Sequence, residues 1–74
     1  NIYQQKEVSM KKYKPMLNLK IMRIRKGMTQ IELARKVGKA SNMIYFYESG
    51  HAAPRTETLK KLADALGCEI KDIV

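Results

Sequence analysis

The sequence has 74 residues, a formal net charge of +8 and a single cysteine. A chain of this length holds one domain with a thin core, which is marginal in stability unless the domain dimerises or binds a partner. The lone cysteine excludes an internal disulfide, and the sequence shows neither an apolar run of membrane-spanning length nor a secretory signal pattern, so we expect a cytoplasmic protein with no membrane partner.

The basic side chains are concentrated towards the N-terminus. Residues 1–30 carry eight basic side chains against one acidic side chain, whereas residues 31–74 carry seven against six. A basic end on a small domain attracts polyanions such as nucleic acids. Ordinary solubility explains the same excess equally well, so the charge alone leaves both explanations open.

Residues 1–15 are predicted to form a basic N-terminal arm ahead of a domain at residues 16–74. The codons for Lys6 to Met10 can contain a bacterial ribosome-binding sequence just before a start codon. This favours Met10 as the native start, with residues 1–9 outside the native coding sequence; a linker or a remnant of added sequence is an equal alternative. The lysines of the arm are candidates for phosphate contacts: Lys11, Lys12 and Lys14.

The chain after the arm is divided by glycines, which can take the left-handed conformation that closes a helix. Each follows a stretch of apolar periodicity: Gly27, Gly38, Gly50 and Gly67. Pro15 suits the first turn of a helix, Thr29 with Glu32 makes a capping box, and Thr56 can cap a later helix. No strand-like alternation competes, so we predict an all-α, compact bundle of about five short helices near residues 16–26, 30–37, 41–49, 56–66 and 70–73.

Three residues of the second and third predicted helices answer different steric demands of a tight helix-turn-helix. Ala34 is small where two helices approach closely, and Gly38 begins the sharp turn between them. Ile44 falls on the side of the third helix that returns to Leu33 and Ala34. Each residue alone is weak evidence, but together they predict a central helix-turn-helix.

With these elements in place, the chain resembles the phage-repressor type of helix-turn-helix domain, also called Cro-like or XRE-like. The resemblance covers about residues 17–74 and implies a lambda-repressor-like fold. In the family a Ser or Thr that caps the third helix stands where this sequence has Ala40, so here the cap falls to Ser41 or is absent. Lys39, Tyr45 and Phe46 also depart from the family pattern. The matching elements are Arg23, Gly27, Thr29, Gln30, Leu33, Ala34, Gly38, Ile44, Glu48, Gly50, Pro54, Thr58, Leu59, Leu62, Ala63, Ala65, Leu66 and Gly67.

Helical spacing divides the third predicted helix into two faces. One face, with Ala40, Ile44 and Tyr47, is expected to pack on the second helix. In a helix-turn-helix the other face enters the DNA major groove. That outward face is expected to carry Ser41, Asn42, Tyr45, Phe46 and Ser49.

Four residues of the outward face are candidates for contacts with DNA bases. Ser41 and Asn42 can hydrogen-bond base edges, and Phe46, beside Tyr45, can pack on a thymine methyl group. For Ser41 and Asn42 the alternative role is helix capping alone. For Tyr45 and Phe46 the alternative is an apolar patch that binds another protein or a partner subunit.

Phosphate contacts are expected to flank the third helix. The resemblance implies that Gln30 touches a phosphate, and four further candidates border the helix: Lys39, Ser49, His51 and Arg55. The resemblance also implies an ion pair between Arg23 of the first helix and Glu48 of the third. The alternative is two solvated surface charges.

These observations favour sequence-specific binding of double-stranded DNA by a small transcriptional regulator, acting as a homodimer on a near-palindromic operator. An antitoxin-like protein-interaction module that uses the Tyr45–Phe46 face, and a nonspecific nucleic-acid binder, are the alternatives. No residue set for catalysis is present, and the only histidine lies far along the chain from Cys68. We therefore expect no enzymatic activity, no cofactor and no metal.

The predicted dimer interface lies after the fourth helix, where the chain is apolar. A last helix this short cannot bury four apolar residues in a thin domain, so some are expected to remain for a partner. Ile73 and Ile70 suit the core better, and Cys68 and Val74 suit the interface better. The interface candidates are thus Cys68, Ile70 and Val74.

Overall fold

The computed structural model describes residues 12–74. In this range the chain forms α1 (Leu17–Arg25), α2 (Gln30–Lys36), α3 (Met43–Ser49), α4 (Thr56–Leu66) and a terminal 3-10 helix (Ile70–Asp72). Residues 12–74 contain no strand, so the all-α prediction is confirmed. The predictions for Lys11, for Met10 as the start and for residues 1–9 lie outside the described residues.

A single core joins all five elements. Its six largest fully buried side chains come from α1, α2, α3, α4 and the C-terminal end: Leu19, Leu33, Ile44, Leu62, Leu66 and Ile73. Each such side chain contributes about 1.5–3 kcal/mol when it leaves water. The core therefore holds the buried face of α3 against α2 and α1.

A capping box starts α2, as the sequence predicts. The Thr29 hydroxyl accepts a hydrogen bond from the Glu32 backbone N–H at 3.0 Å, and the Thr29 N–H donates to the Glu32 carboxylate at 2.8 Å. The backbone hydrogen bond from Thr29 and then the side-chain hydrogen bond hold the pKa of Glu32 below its ordinary value. The ionised carboxylate therefore stabilises the first turn of α2.

The turn between α2 and α3 depends on two small residues. Gly38 has a φ of +72°, in the left-handed region that side chains rarely adopt. The following N–H, of Lys39, donates to the Ala34 carbonyl at 2.9 Å. Ala34 itself is fully buried, so the two helices of the motif approach each other across its methyl group.

The third helix begins at Met43, later than predicted. Ala40 was expected to face the core, but it is exposed because it lies in the turn before α3, where its carbonyl accepts from Met43 N at 3.0 Å. No side chain caps this helix, so Ser41 does not take over the capping role. Ile44 and Tyr47 are buried, which confirms the rest of the predicted core face.

Two predicted helix starts are also shifted. Thr56 was expected to cap α4, but it is the first helical residue, preceded by Arg55 in extended conformation without a capping hydrogen bond. Pro15 was expected in the first turn of α1, but the helix begins only at Leu17. In both places the residue type suits a helix terminus, and only its exact position differs.

The residues just before α1 are attached to the C-terminal end of α3. Tyr13 N donates to the Gly50 carbonyl at 2.9 Å, and Met16 N donates to the Tyr47 carbonyl at 3.2 Å. Gly50 has a φ of +87°, and a Cβ atom there would lie 2.5 Å from the Tyr13 carbonyl oxygen. Residues 13–15, predicted as part of the arm, are therefore tied to the domain.

Candidate nucleic-acid interface

The solvent-facing side of the helix-turn-helix is formed by the turn before α3 and by one face of α3. Ser41 and Asn42 are exposed, and Tyr45 is 49% exposed. Asn42 immediately precedes the helix, yet its side chain makes no capping hydrogen bond. The polar groups of this surface are thus presented to solvent, while Ile44 anchors the opposite face in the core.

The C-terminal end of α3 closes in a Schellman-like turn. The Phe46 carbonyl accepts from the N–H groups of Gly50 at 3.1 Å, His51 at 2.9 Å and Ala52 at 3.2 Å. The Ser49 hydroxyl donates to the same carbonyl at 3.3 Å. The turn reverses the chain and brings His51 back over the helix.

This reversal creates an aromatic cluster, which we call the Tyr45–Phe46–His51 cluster. The His51 ring stacks on Tyr45 at 6.1 Å between centroids with 22° between planes, and it lies 6.1 Å from Phe46. The Ser49 hydroxyl lies 2.6 Å from His51 Nδ1 and so fixes the imidazole. Phe46 was expected to point outward, but it is half-buried in this cluster. Of the four base-contact candidates it is therefore the least accessible.

A buried polar network holds α3 to α1 and α2. Arg23 Nε donates to Glu48 Oε2 at 2.7 Å and Arg23 Nη2 to Glu48 Oε1 at 3.1 Å, so the pair has two bonds. Arg23 Nη1 also donates to the Met28 carbonyl at 2.8 Å. Both side chains of the pair are buried rather than solvated, unlike the alternative considered from the sequence. Two parallel hydrogen bonds fix the orientation of α3 relative to α1. Loss of either partner would be costly, because it would leave an unpaired charge in the core.

Gln30 extends this network to the start of α2. Its Nε2 donates to Glu48 Oε1 at 3.0 Å, and the residue is half-buried. The sequence suggested Gln30 for phosphate contact and gave no sign of this bond, since the two residues are far apart in the chain. The Gln30 side chain, at the first residue of α2, therefore helps to orient α3.

The remaining phosphate candidates differ in accessibility. Lys12, Lys14, Lys39 and Arg55 are exposed, whereas Ser49 and His51 are half-buried and bonded to each other. The hydrogen bonds of residues 13–16 place Lys14 in a segment bound to the end of α3. Basic side chains thus occur on the turn before α3, on the loop after it and on the segment docked against its end.

The dimer candidates lie at the C-terminal end with graded exposure. Val74 is 60% exposed and Ile73 is fully buried, while Cys68 and Ile70 are half-buried. Burial raises the pKa of the Cys68 thiol, which favours its neutral, packed form. Asn18 Nδ2 donates to the Val74 carbonyl at 2.9 Å, a tie to α1 that the sequence pattern did not reveal.

Residues 12–74 lack two kinds of feature. None of its helices combines the length and the apolar character needed to cross a membrane. Within the same residues, no group of three or more His, Cys, Asp or Glu side chains could hold a metal ion.

Known proteins similar to this chain are regulators and bridging factors. Multiprotein-bridging factor 1 of Candida albicans is 46% identical over 46 residues, which are 62% of this chain and 30% of that protein. Human endothelial differentiation-related factor 1 is 39% identical over 46 residues, which are 62% of this chain and 31% of that protein. The chain thus spans under a third of the length of these two relatives.

Two solved structures share the fold. The clp gene regulator ClgR from Corynebacterium glutamicum has a TM-score of 0.73 at 28% identity, covering 77% of this chain and 61% of that one. A hypothetical transcription factor from Neisseria has a TM-score of 0.71 at 28% identity, covering 76% of this chain and 64% of that one. A helix-turn-helix family model matches residues 19–73. Since that match takes in nearly all of α1 and every later element, the chain belongs to the helix-turn-helix family of the phage-repressor, Cro/C1-type and XRE-like class.

Proposed function

We propose that the chain binds double-stranded DNA at a specific sequence and acts as a cytoplasmic transcriptional regulator, with α3 as its reading helix. The observation that carries this proposal is the exposed surface of Ser41, Asn42 and Tyr45, held in a fixed orientation by the buried Arg23–Glu48–Gln30 network. Both structural neighbours are named as transcription regulators, which agrees with this use of the surface.

Base reading is assigned to the N-terminal end of α3. Ser41 and Asn42 make no capping bond, so their hydrogen-bonding groups are available to a partner. Asn is suited to a bidentate pair with adenine, and Ser can bond several bases. Tyr45 lies one turn further along and supplies a hydroxyl and an apolar ring edge. Phe46, half-buried under His51, contributes mainly to the shape of the surface.

Phosphate binding is assigned to the groups around α3. Lys39 precedes the helix and Arg55 follows it, while Lys12 and Lys14 lie on the segment tied to its C-terminal end. Ser49, His51 and Gln30 are secondary candidates because each already has a hydrogen-bond partner inside the domain. Such contacts position the protein, whereas base contacts give specificity.

Specific binding by one short helix reads few bases, so we infer a dimer on a near-palindromic operator. Two-fold symmetry would set the reading helices about 34 Å apart, one turn of DNA. The apolar surface assigned to this contact consists of Val74, which is 60% exposed, half-buried Cys68, and Ile70 of the 3-10 helix. The test is Val74→Lys combined with Cys68→Asp, with Ile31→Lys as the control at an exposed apolar site on α2. If two copies of the double variant still bind the operator cooperatively, the dimer interface lies elsewhere.

The decisive experiment is selection of bound sequences from random DNA, with the Ser41→Ala, Asn42→Ala double variant selected in parallel. We expect enrichment of one near-palindromic site with half-sites about 10–10.5 base pairs apart for the unmodified chain, and loss of that enrichment for the variant. Recovery of random sequence by both proteins would leave only nonspecific binding.

A second function is favoured by the name of the Candida albicans relative, which is called a multiprotein-bridging factor. Here the Tyr45–Phe46–His51 cluster would contact a protein instead of a base edge. An antitoxin-like module would use the same surface. Capture of a protein by the chain that Tyr45→Ala abolishes, together with no selected DNA site, is the outcome that favours this function.

A further inference from the structure

We propose that the outer side of α1 and the groove beside it form a docking site for an acidic amphipathic helix of a partner protein. α1 exposes three large apolar side chains: Leu17 at 61%, Ile21 at 46% and Ile24 at 57%. Their spacing of four and three residues places them in one stripe along the helix. We call these three residues the α1 stripe.

The α1 stripe continues into an apolar groove through Leu17. The groove holds about 410 Å³ and is lined mainly by apolar side chains, among them Pro15, Leu17, Ala53, Pro54, Leu59 and Val74. A concave apolar pocket next to a straight apolar stripe fits a helix that inserts one or two large side chains and lays others along α1. A flat lipid surface would leave the groove unfilled, which disfavours a membrane as the occupant.

The charges around this surface specify the partner. Residues 12–28 contain no acidic side chain, and five of their basic residues are exposed: Lys12, Lys14, Lys20, Arg25 and Lys26. Lys14 itself lines the groove. The sixth basic residue, Arg23, is already paired with Glu48. A partner with glutamates or aspartates beside its apolar residues complements this rim, whereas a second copy docked by the same face would bring like charges together.

The α1 stripe and α3 lie on different sides of α1. Arg23 reaches Glu48 of α3 from one side of the helix, and the α1 stripe occupies another. A protein bound to the stripe would therefore leave α3 accessible. Val74 lines the groove and also belongs to the proposed dimer interface, so the test variants leave that residue unchanged. Lys12 and Lys14 are assigned both to the rim of the groove and to DNA phosphates, so the test variants leave these two lysines unchanged.

The test uses the full chain and a fluorescein-labelled peptide of about four helical turns in which pairs of leucines alternate with pairs of glutamates. A matched peptide carries lysines in place of the glutamates. Fluorescence anisotropy measures binding to the unmodified chain and to Leu17→Lys, Ile24→Lys and Lys20→Glu. The control variants are Ile31→Lys, at another exposed apolar site, and Lys61→Glu, at an exposed site on α4.

We expect the acidic peptide to bind and the basic peptide not to bind. The stripe variants should weaken binding on the order of tenfold or more, Lys20→Glu should weaken it and reduce its salt dependence, and the two controls should leave it unchanged. Melting curves confirm that each variant is folded. Failure of the acidic peptide to bind, or equal effects of stripe and control variants, overturns the proposal.

Three other occupants have their own signatures, and each overturns the proposal. Self-association of the chain that Ile24→Lys abolishes, with no peptide binding, indicates a second copy. Binding to phosphatidylglycerol vesicles without peptide binding indicates a lipid surface. A fall in melting temperature on removal of residues 1–11 that does not occur in the Leu17→Lys background, again without peptide binding, indicates that the chain's own N-terminal residues occupy the groove.

Discussion

The Glu48 carboxylate accepts two hydrogen bonds from the Arg23 guanidinium, at 2.7 and 3.1 Å, although only 8% of Arg23 and 5% of Glu48 are exposed. The same carboxylate oxygen that receives Arg23 Nη2 also receives Gln30 Nε2. One buried acid thus connects α1, α2 and α3, and the orientation of α3 depends on it.

Breaking this pair should destabilise the domain strongly. Glu48→Ala should lower the free energy of unfolding by about 3–5 kcal/mol, because Arg23 is left buried and unpaired. A double-mutant cycle with Arg23→Ala should give a coupling on the order of 0.5–3 kcal/mol, measured by denaturant unfolding. Lys71→Ala is the control, since its pair with Glu69 is exposed at 3.6 Å and should contribute at most about 1 kcal/mol. Additive single effects at Arg23 and Glu48 would contradict the coupling.

Removal of the polar groups before α3 should affect specific binding only. Asn42→Ala and Ser41→Ala should each cost about 1–3 kcal/mol at one position of the selected site and little on random DNA. The melting temperature should not change, because neither side chain caps the helix. Titration of both DNAs with each variant measures this. Equal losses on the two DNAs would remove these residues from base reading.

Lysines of the N-terminal segment should contribute to binding without reading sequence. Replacing Lys11, Lys12 and Lys14 by Ala should weaken binding to all DNA and reduce the salt slope by about 0.9 for each lost phosphate contact. Lys60→Ala with Lys61→Ala, at exposed sites on α4, is the control. A slope that stays the same after the triple change would mean that these lysines contribute to solubility and not to DNA binding.

The capping box should give α2 an acid-sensitive start. The pKa of Glu32 is lowered in the folded chain by its hydrogen bonds from Thr29, so the stabilisation it provides is complete above the unfolded-state pKa. It should be lost as the pH falls through the folded-state value. Unfolding of Glu32→Gln, compared with the unmodified chain between neutral pH and acid, should lack this part of the pH dependence. If both proteins lose the same stability as the pH falls, the acid sensitivity comes from other groups.

The glycine after α3 should tolerate substitution less well than the glycine after α1. Gly27→Ala meets no atom within 4 Å and should cost only the left-handed backbone strain, about 1–2 kcal/mol. Gly50→Ala adds a Cβ atom 2.5 Å from the Tyr13 carbonyl and should cost clearly more. Thermal unfolding of the two variants compares them directly. Equal melting temperatures would mean that the segment at Tyr13 moves away at little cost.

The helices could be predicted from the sequence because their signals are local. Thr29 with Glu32 starts α2, and the glycines at positions 27 and 50 end α1 and α3, as expected. The predicted start of α3, at residue 41, was two residues early, and Ala40 was wrongly assigned to its core face because that residue fits the helical apolar period but lies before the helix. An apolar period in the sequence does not reveal where a helix starts if the residues of the preceding turn continue the same period.

The parts of the site that the sequence did not indicate depend on contacts between distant residues. Gln30 bonds Glu48 and Tyr13 bonds Gly50, and neither pair carries a local pattern. The half-burial of Phe46 under His51 did have a signal, because a glycine-terminated helix brings the residue after the glycine back over the last turn. The prediction that Phe46 points outward did not take this return of the chain into account.

The hydrogen bond between Tyr13 and the Gly50 carbonyl has a consequence for the length of DNA that one copy would cover. This bond holds Tyr13, and with it the neighbouring Lys12, at the C-terminal end of α3. In the proposed complex, phosphates touched by Lys12 would therefore lie at a constant offset from the bases opposite Asn42. The footprint of each half-site would then be a property of the folded domain, the same on every operator, rather than of a freely moving tail.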